Sequence, residues 1–152
     1  MKKILILLLI LVIFTGCNNE VNSEKEIYLK YINELKETNS SDKEYPFTLE
    51  IVLDKITKKE VRYQVILDNV KENLDDISII SIHDKKTDDI YPSIGIFDSK
   101  EKLKVNEKPS GLILVGYIDY EGDIKDFNAT FKVLIKYKIK GKKYKVHYVT
   151  KK

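Results

Sequence analysis

The sequence predicts an all-β protein, an immunoglobulin-like β-sandwich of about seven strands preceded by one N-terminal amphipathic helix. Three observations carry that expectation. Over residues 23–37 apolar side chains recur at helical spacing, and from residue 46 onward the period changes to two. Glycine and proline turn signals separate the later runs. No further helical pattern stands between them, so the strands are expected to pair antiparallel.

Residues 17–22 read as a short polar tether. Ser23 is placed as a helix N-cap, with Glu26 three residues on to complete a capping box. Ile27, Tyr28, Tyr31, Ile32 and Leu35 form one stripe at 3.6 residues per turn, and Glu26 and Lys30 are spaced as an i,i+4 pair. The helix is expected to end near Glu37, before a polar run at 38–42. Its acids (Glu24, Glu26, Glu34, Glu37) outnumber its lysines (Lys25, Lys30, Lys36), which disfavours lying on an anionic membrane. The stripe is expected to pack on the domain that follows, or on a partner.

In the domain, residues 46–152, Phe47, Leu49, Ile51 and Leu53 alternate with polar neighbours, as do Val61, Tyr63, Val65 and Leu67. Residues 77–82 break phase between Ile79 and Ile80, the mark of a bulge or of a strand buried on both faces. A short strand is expected over 94–97. Residues 112–118 are apolar almost throughout and read as a central strand, with Gly116 allowing close packing above it. Phe127, Ala129, Phe131, Val133, Ile135, Tyr137 and Ile139 make the longest alternating series; Tyr144, Val146 and Tyr148 follow. Turn chemistry appears at Pro109-Ser110-Gly111, Glu121-Gly122-Asp123 and Lys140-Gly141-Lys142. A small β-barrel is the alternative closure of the same strands.

The segment before the tether is of a different kind. Lys2 and Lys3 precede an apolar run at 4–14, and Thr15-Gly16-Cys17 ends it with the only cysteine of the chain. The run is shorter than the roughly 20 residues that span a bilayer. These residues resemble the signal sequence of bacterial lipoproteins. The resemblance implies cleavage between Gly16 and Cys17, loss of residues 1–16, and a diacylglyceryl group, with palmitate-type chains, on the Cys17 sulfur. Two acyl chains hold where one is marginal. Asn18 replaces the aspartate that marks inner-membrane retention in some diderm lipoproteins. A composition rich in Lys, Ile, Asn and Tyr resembles that of low-GC Gram-positive proteins, so the expected location is the extracellular face of the cell membrane.

Composition narrows the function classes. Loss of residues 1–16 removes Lys2 and Lys3 and no acid, so the formal charge of +3 falls close to neutral. Global charge then makes no case for nucleic acid, and none is expected as a partner. With Cys17 spent on lipid, no thiol is left for disulfides, thiolate catalysis or metal binding. H-E-x-x-H, G-x-S-x-G and glycine-rich phosphate loops are absent from the sequence. Carboxylate pairs of the glycosidase kind meet only in a fold and stay open. His83, beside Asp84 at a strand end, and His147, on a polar strand face, read as surface residues; no cofactor or metal is expected. Asp119, Glu121, Asp123 and Asp126 open like a calcium loop. Gly122 at its fourth position, Ile124 at its sixth and Thr130 at its twelfth fit a turn better.

The last two strands carry the candidate binding face. Residues 127–152 hold nine lysines and no acid. Lys132, Lys136 and Lys138 share one face of their strand, and Lys145 and His147 one face of the next. Like charges across a sheet repel, so such a cluster either accepts that cost in water or meets an anion. The expected function is therefore a membrane-anchored cell-surface lipoprotein with a non-enzymatic binding or accessory role. It would dock an envelope protein or an anionic wall polymer through these lysines. A solvated face that guards an edge strand is the simpler alternative. A small-ligand or metal carrier, and a protective protein excluding phage or toxin, are the other classes.

Overall fold

The computed structural model describes residues 17–152, with side chains from residue 23 onward; the expected signal segment 1–16 and the Cys17 side chain lie outside the described residues. One helix, α1 (Cys17–Glu37), is followed by β1 (Thr48–Thr57), β2 (Glu60–Asp68), β3 (Leu74–His83), β4 (Ser93–Ile94), β5 (Glu101–Leu103), β6 (Leu112–Asp119), β7 (Thr130–Ile139) and β8 (Lys142–Lys151). The helix ends where its stripe does but starts at Cys17. Residues 17–22, expected as a tether, contain neither glycine nor proline, so nothing stops the helix from extending back through them. Ser23 is consequently an interior residue rather than a cap.

The strands form two antiparallel sheets stacked as a sandwich. One has the order β1-β2-β6 and the other β4-β3-β7-β8, with β5 also paired to β3. Alternation decides which side chains lie between them. Ile51, Val61, Tyr63, Val65, Leu67, Leu114 and Ile118 of the first sheet meet Ile77, Ile79, Phe131, Val133, Ile135, Tyr137 and Val146 of the second. Lys140 and Gly141 both have positive φ, 49° and 79°, and close the β7–β8 hairpin in the two-residue turn that glycine favours.

Burial on both faces of β3 explains the phase break between Ile79 and Ile80; a bulge is present too, but it lies upstream of that break. The pairing of β3 with β7 slips between Asp75 and Ser78, with Asp76 at φ 51°, and the strand beyond is buried on both sides. Ile77 and Ile79 face the core between the sheets. Ile80 and Ile82 face α1, where they join Ile96 and Leu134 in a second core around Tyr28, Ile32 and Leu35. Fully burying an apolar side chain stabilises by about 1.5–3 kcal/mol, so these three residues are the main force holding α1 on the sheet.

Two expectations require correction. The run 112–118 is not a central strand: β6 is an edge strand, with Leu114, Gly116 and Ile118 inward and Ile113, Val115 and Tyr117 outward and exposed. An unbroken apolar run does not distinguish burial on two faces from burial on one, and α1 covers only the other sheet. An eighth strand, β5, escapes the pattern because it is three residues long with only Leu103 buried. Gly116 does what its position suggested. A Cβ there would collide with the Tyr63 ring, 2.5 Å from Cε1.

Candidate functional site

The five residues of the expected binding face do come together on the outer side of β7 and β8. Lys136 stands directly opposite Lys145, and His147 opposite Leu134. Four of the five are engaged by α1 or the segment after it. Lys132 Nζ donates to the Lys36 carbonyl (2.9 Å), and the Lys136 ammonium lies 3.8 Å from the Tyr31 ring centroid. Lys145 Nζ donates to Glu34 Oε1 at 2.7 Å, and His147 Nε2 is 2.8 Å from the same oxygen. Asp42 Oδ2 accepts from the His147 backbone N–H (2.7 Å). Lys138, at the margin, pairs with Asp76.

The cluster of like charge therefore has its anion in cis. Partial burial acts to raise the Glu34 pKa, but the hydrogen bonds from Lys145 and His147 outweigh it and hold the carboxyl below its ordinary value. Burial beneath Tyr31 lowers Lys136, with Glu34 opposing that shift. Expected as an open docking face, most of these lysines instead seat the helix. What stays open lies beside that footprint, where Lys100, Lys136, Lys138 and Lys143 surround a depression of about 230 Å³ with Asp76.

Two of the four acidic candidates have protein partners among the described residues. Glu121 pairs with Lys59 (3.0 Å), and Asp123 Oδ1 accepts from the Lys125 backbone N–H, capping a 3-10 turn at Ile124–Asp126.

A different site emerges on the open side of the sandwich, where one sheet ends in β6 and the other in β4. A cleft of about 470 Å³ lies between the middle of β6 (Val115, Gly116, Tyr117) and the segment leaving β3, with Thr87, Asp89, Ile90, Tyr91 and Pro92 on its wall. Glu60, Tyr63 and His83 complete it. Tyr63 is fully buried and His83 is 6% exposed. The T-shaped His83–Tyr63 and His83–Tyr91 pairs have centroids 5.6 and 5.3 Å apart, and Phe131 adds a third ring at 6.2 Å.

Within this aromatic cage three polar atoms lack a hydrogen-bond partner among the described residues: Tyr63 Oη, His83 Nδ1 and Ser81 Oγ. An unpaired buried polar group costs about 1–3 kcal/mol, so the two on the cleft wall, Tyr63 Oη and His83 Nδ1, call for a reason. Burial drives the Tyr63 phenol far above its ordinary pKa, opposed by the nearby Ser81 hydroxyl, and it lowers that of His83, opposed by the Lys85 backbone. Gly116 shapes the opening, because only a residue without a side chain lets the Tyr63 phenol reach beneath β6.

His83 was expected at the surface, and the sequence reading passed over this site. A signal existed, since residues 77, 79, 81 and 83 share one face of β3 by parity and two of them are polar. Polar residues on a strand's inward face point to a site or to a strand end, and that pattern alone does not choose between them.

Residues 1–18 match the family described as the prokaryotic membrane lipoprotein lipid attachment site. No curated protein and no solved structure matches the chain. The attachment site marks the chain as a membrane-anchored lipoprotein. Among the described residues no helix is long and apolar enough to cross a membrane.

Proposed function

We propose that the protein is a lipid-anchored binding protein of the extracellular face of the cell membrane, acylated on Cys17, that holds a small polar ligand in the cleft between β6 and the end of β3. The observation that carries this reading is the pair Tyr63 and His83: both are more than nine-tenths buried, both line the cleft, and each carries an unpartnered polar atom. The role is read as binding rather than catalysis: an unpartnered phenol and imidazole among aromatic rings can exchange hydrogen bonds with the polar groups of a ligand. The scaffold is read as immunoglobulin-like. β1, β2 and β6 take the order of strands A, B and E, and β3, β7 and β8 that of C, F and G, with β4 and β5 as short additions beside C.

Native mass spectrometry of the full-length protein, purified from its membrane in detergent, tests the reading. A small-molecule adduct is expected on the wild type and is lost in Tyr63→Phe and His83→Phe variants that still fold. A wild-type spectrum without an adduct, and an unfolding midpoint that envelope extract does not raise, would refute it.

One observation favours a second reading. The depression among Lys100, Lys138 and Lys143 holds more positive charge than Asp76 neutralises, and suits an anionic wall polymer or an acidic envelope partner. Its mark would be a macromolecule captured at low salt, released at high salt, and lost on Lys138→Glu and Lys143→Glu substitution.

A further inference from the structure

Resting on the cleft as a ligand site, we infer that its ligand is a small organic cation: an ammonium group on a body that carries at least one hydrogen-bonding group. Glu60 and Asp89 place two carboxylates on the cleft wall, and neither forms an ion pair among the described residues. No lysine or arginine lines the cleft, although the two residue types make up 27 of the 152 positions. Tyr63, Tyr91 and Tyr117 add aromatic rings, whose faces attract cations more strongly where water is excluded. Carboxylates that stand unpaired beside tyrosines in a lysine-rich chain form an electronegative concavity on a nearly neutral body.

The second half of the inference comes from the buried end of the cleft. Tyr63 and His83 both line this end, each with a buried unpartnered polar atom, and a phenol and an imidazole between them offer both donor and acceptor capacity. They pair with the hydroxyl, amine or amide of the ligand body while the rim holds its charge. An anion would meet two carboxylates at the entrance. An apolar cation would leave the buried pair unsatisfied. A volume of about 470 Å³ lies within the range of small-molecule sites.

Choline, spermidine and neohexyl alcohol, the uncharged carbon isostere of choline, are the probes. Each is titrated into the full-length protein in detergent, followed by calorimetry and by tyrosine emission, which is unobscured because the chain has no tryptophan. At least one of the two cations is expected to bind saturably, and more tightly than neohexyl alcohol. The Glu60→Gln/Asp89→Asn double variant is expected to weaken that binding by at least about tenfold. Its unfolding midpoint is expected to stay unchanged, since neither carboxylate has an ion-pair partner to lose. A cleft that titrates with neither cation, or that takes the isostere as tightly as choline, overturns the inference. If a Tyr63-dependent adduct persists in the native mass spectrum, the ligand-site reading survives that failure; if it is absent too, both fall.

Discussion

Substituting Glu34→Gln removes one negative charge from the contact between α1 and the sheet while keeping the side chain's shape. In the wild type Glu34 Oε1 lies 2.7 Å from Lys145 Nζ and 2.8 Å from His147 Nε2. Charged hydrogen bonds contribute about 1.5–3 kcal/mol each when buried. Here the Lys145 side chain is 47% exposed while those of Glu34 and His147 are 23% and 18% exposed, so water screens the first contact much more than the second. The expected loss is about 1–2 kcal/mol at pH 7, or about 4–8 °C in the unfolding midpoint of a domain of this size. The pH dependence supplies the sharper test. The Glu34 carboxyl is held below its ordinary pKa, so its stabilisation is complete above the unfolded-state value near 4.3 and is lost as pH falls through the folded value. Wild type and variant should therefore differ at neutral pH and converge in acid. Hydrogen exchange locates the effect, with amides of α1 losing protection before those of β2 and β7. Equal midpoints at pH 7, or a difference undiminished in acid, would refute the assignment of Glu34 as the anion of the lysine face.

Two further outcomes follow from packing. Leu35→Ala, at a position with no exposure in the second core, is expected to destabilise by about 2–5 kcal/mol and to release α1 from the sheet, read by denaturant unfolding and by proteolysis within residues 23–37. Gly116→Ala forces a methyl group into the Tyr63 ring, so a cost of about 1–3 kcal/mol is expected in the same measurement, with a changed near-ultraviolet tyrosine spectrum. A Gly116→Ala variant as stable as wild type would mean that Tyr63 does not depend on this gap.

Much of this architecture is written in local periodicity. The inward series from Phe131 to Ile139 in β7 is found as read, as are Val61, Tyr63, Val65 and Leu67 in β2, because alternation fixes which side chains a strand turns inward. Lys140-Gly141 closes its hairpin for a reason that is local as well. The helix stripe was expected to pack on the domain or on a partner; Tyr28, Ile32 and Leu35 are buried on the domain, while Ile27 of the same stripe is exposed. The lysine face shows where such reading stops. Its composition left open whether the lysines stand in water or meet an anion; Glu34 and Lys145 are 111 residues apart, and no local rule connects them. β6 was misplaced for a related reason, since exposure of Ile113, Val115 and Tyr117 depends on which sheet α1 covers.

That choice of sheet links the anchor to the cleft. The attachment site lies at the start of the chain and α1 begins at Cys17, so the helix axis runs ~16 Å from the anchoring residue to Tyr28. Tyr28 Oη donates to the Tyr91 carbonyl at 3.0 Å, and the Tyr91 ring in turn packs edge-on against His83 and donates its hydroxyl to the His83 carbonyl (3.3 Å). Tyr91 and His83 both line the cleft. A helix that served only as a spacer would need none of these contacts. The apolar stripe and the lysine face together hold the helix down, and the docked helix fixes one wall of the cleft. Cutting the chain after α1 to obtain a convenient soluble domain would uncover an artificial cationic surface and loosen Tyr91 at the same stroke. Binding to such a fragment would say little about the anchored protein, which is why the full chain is the object to measure.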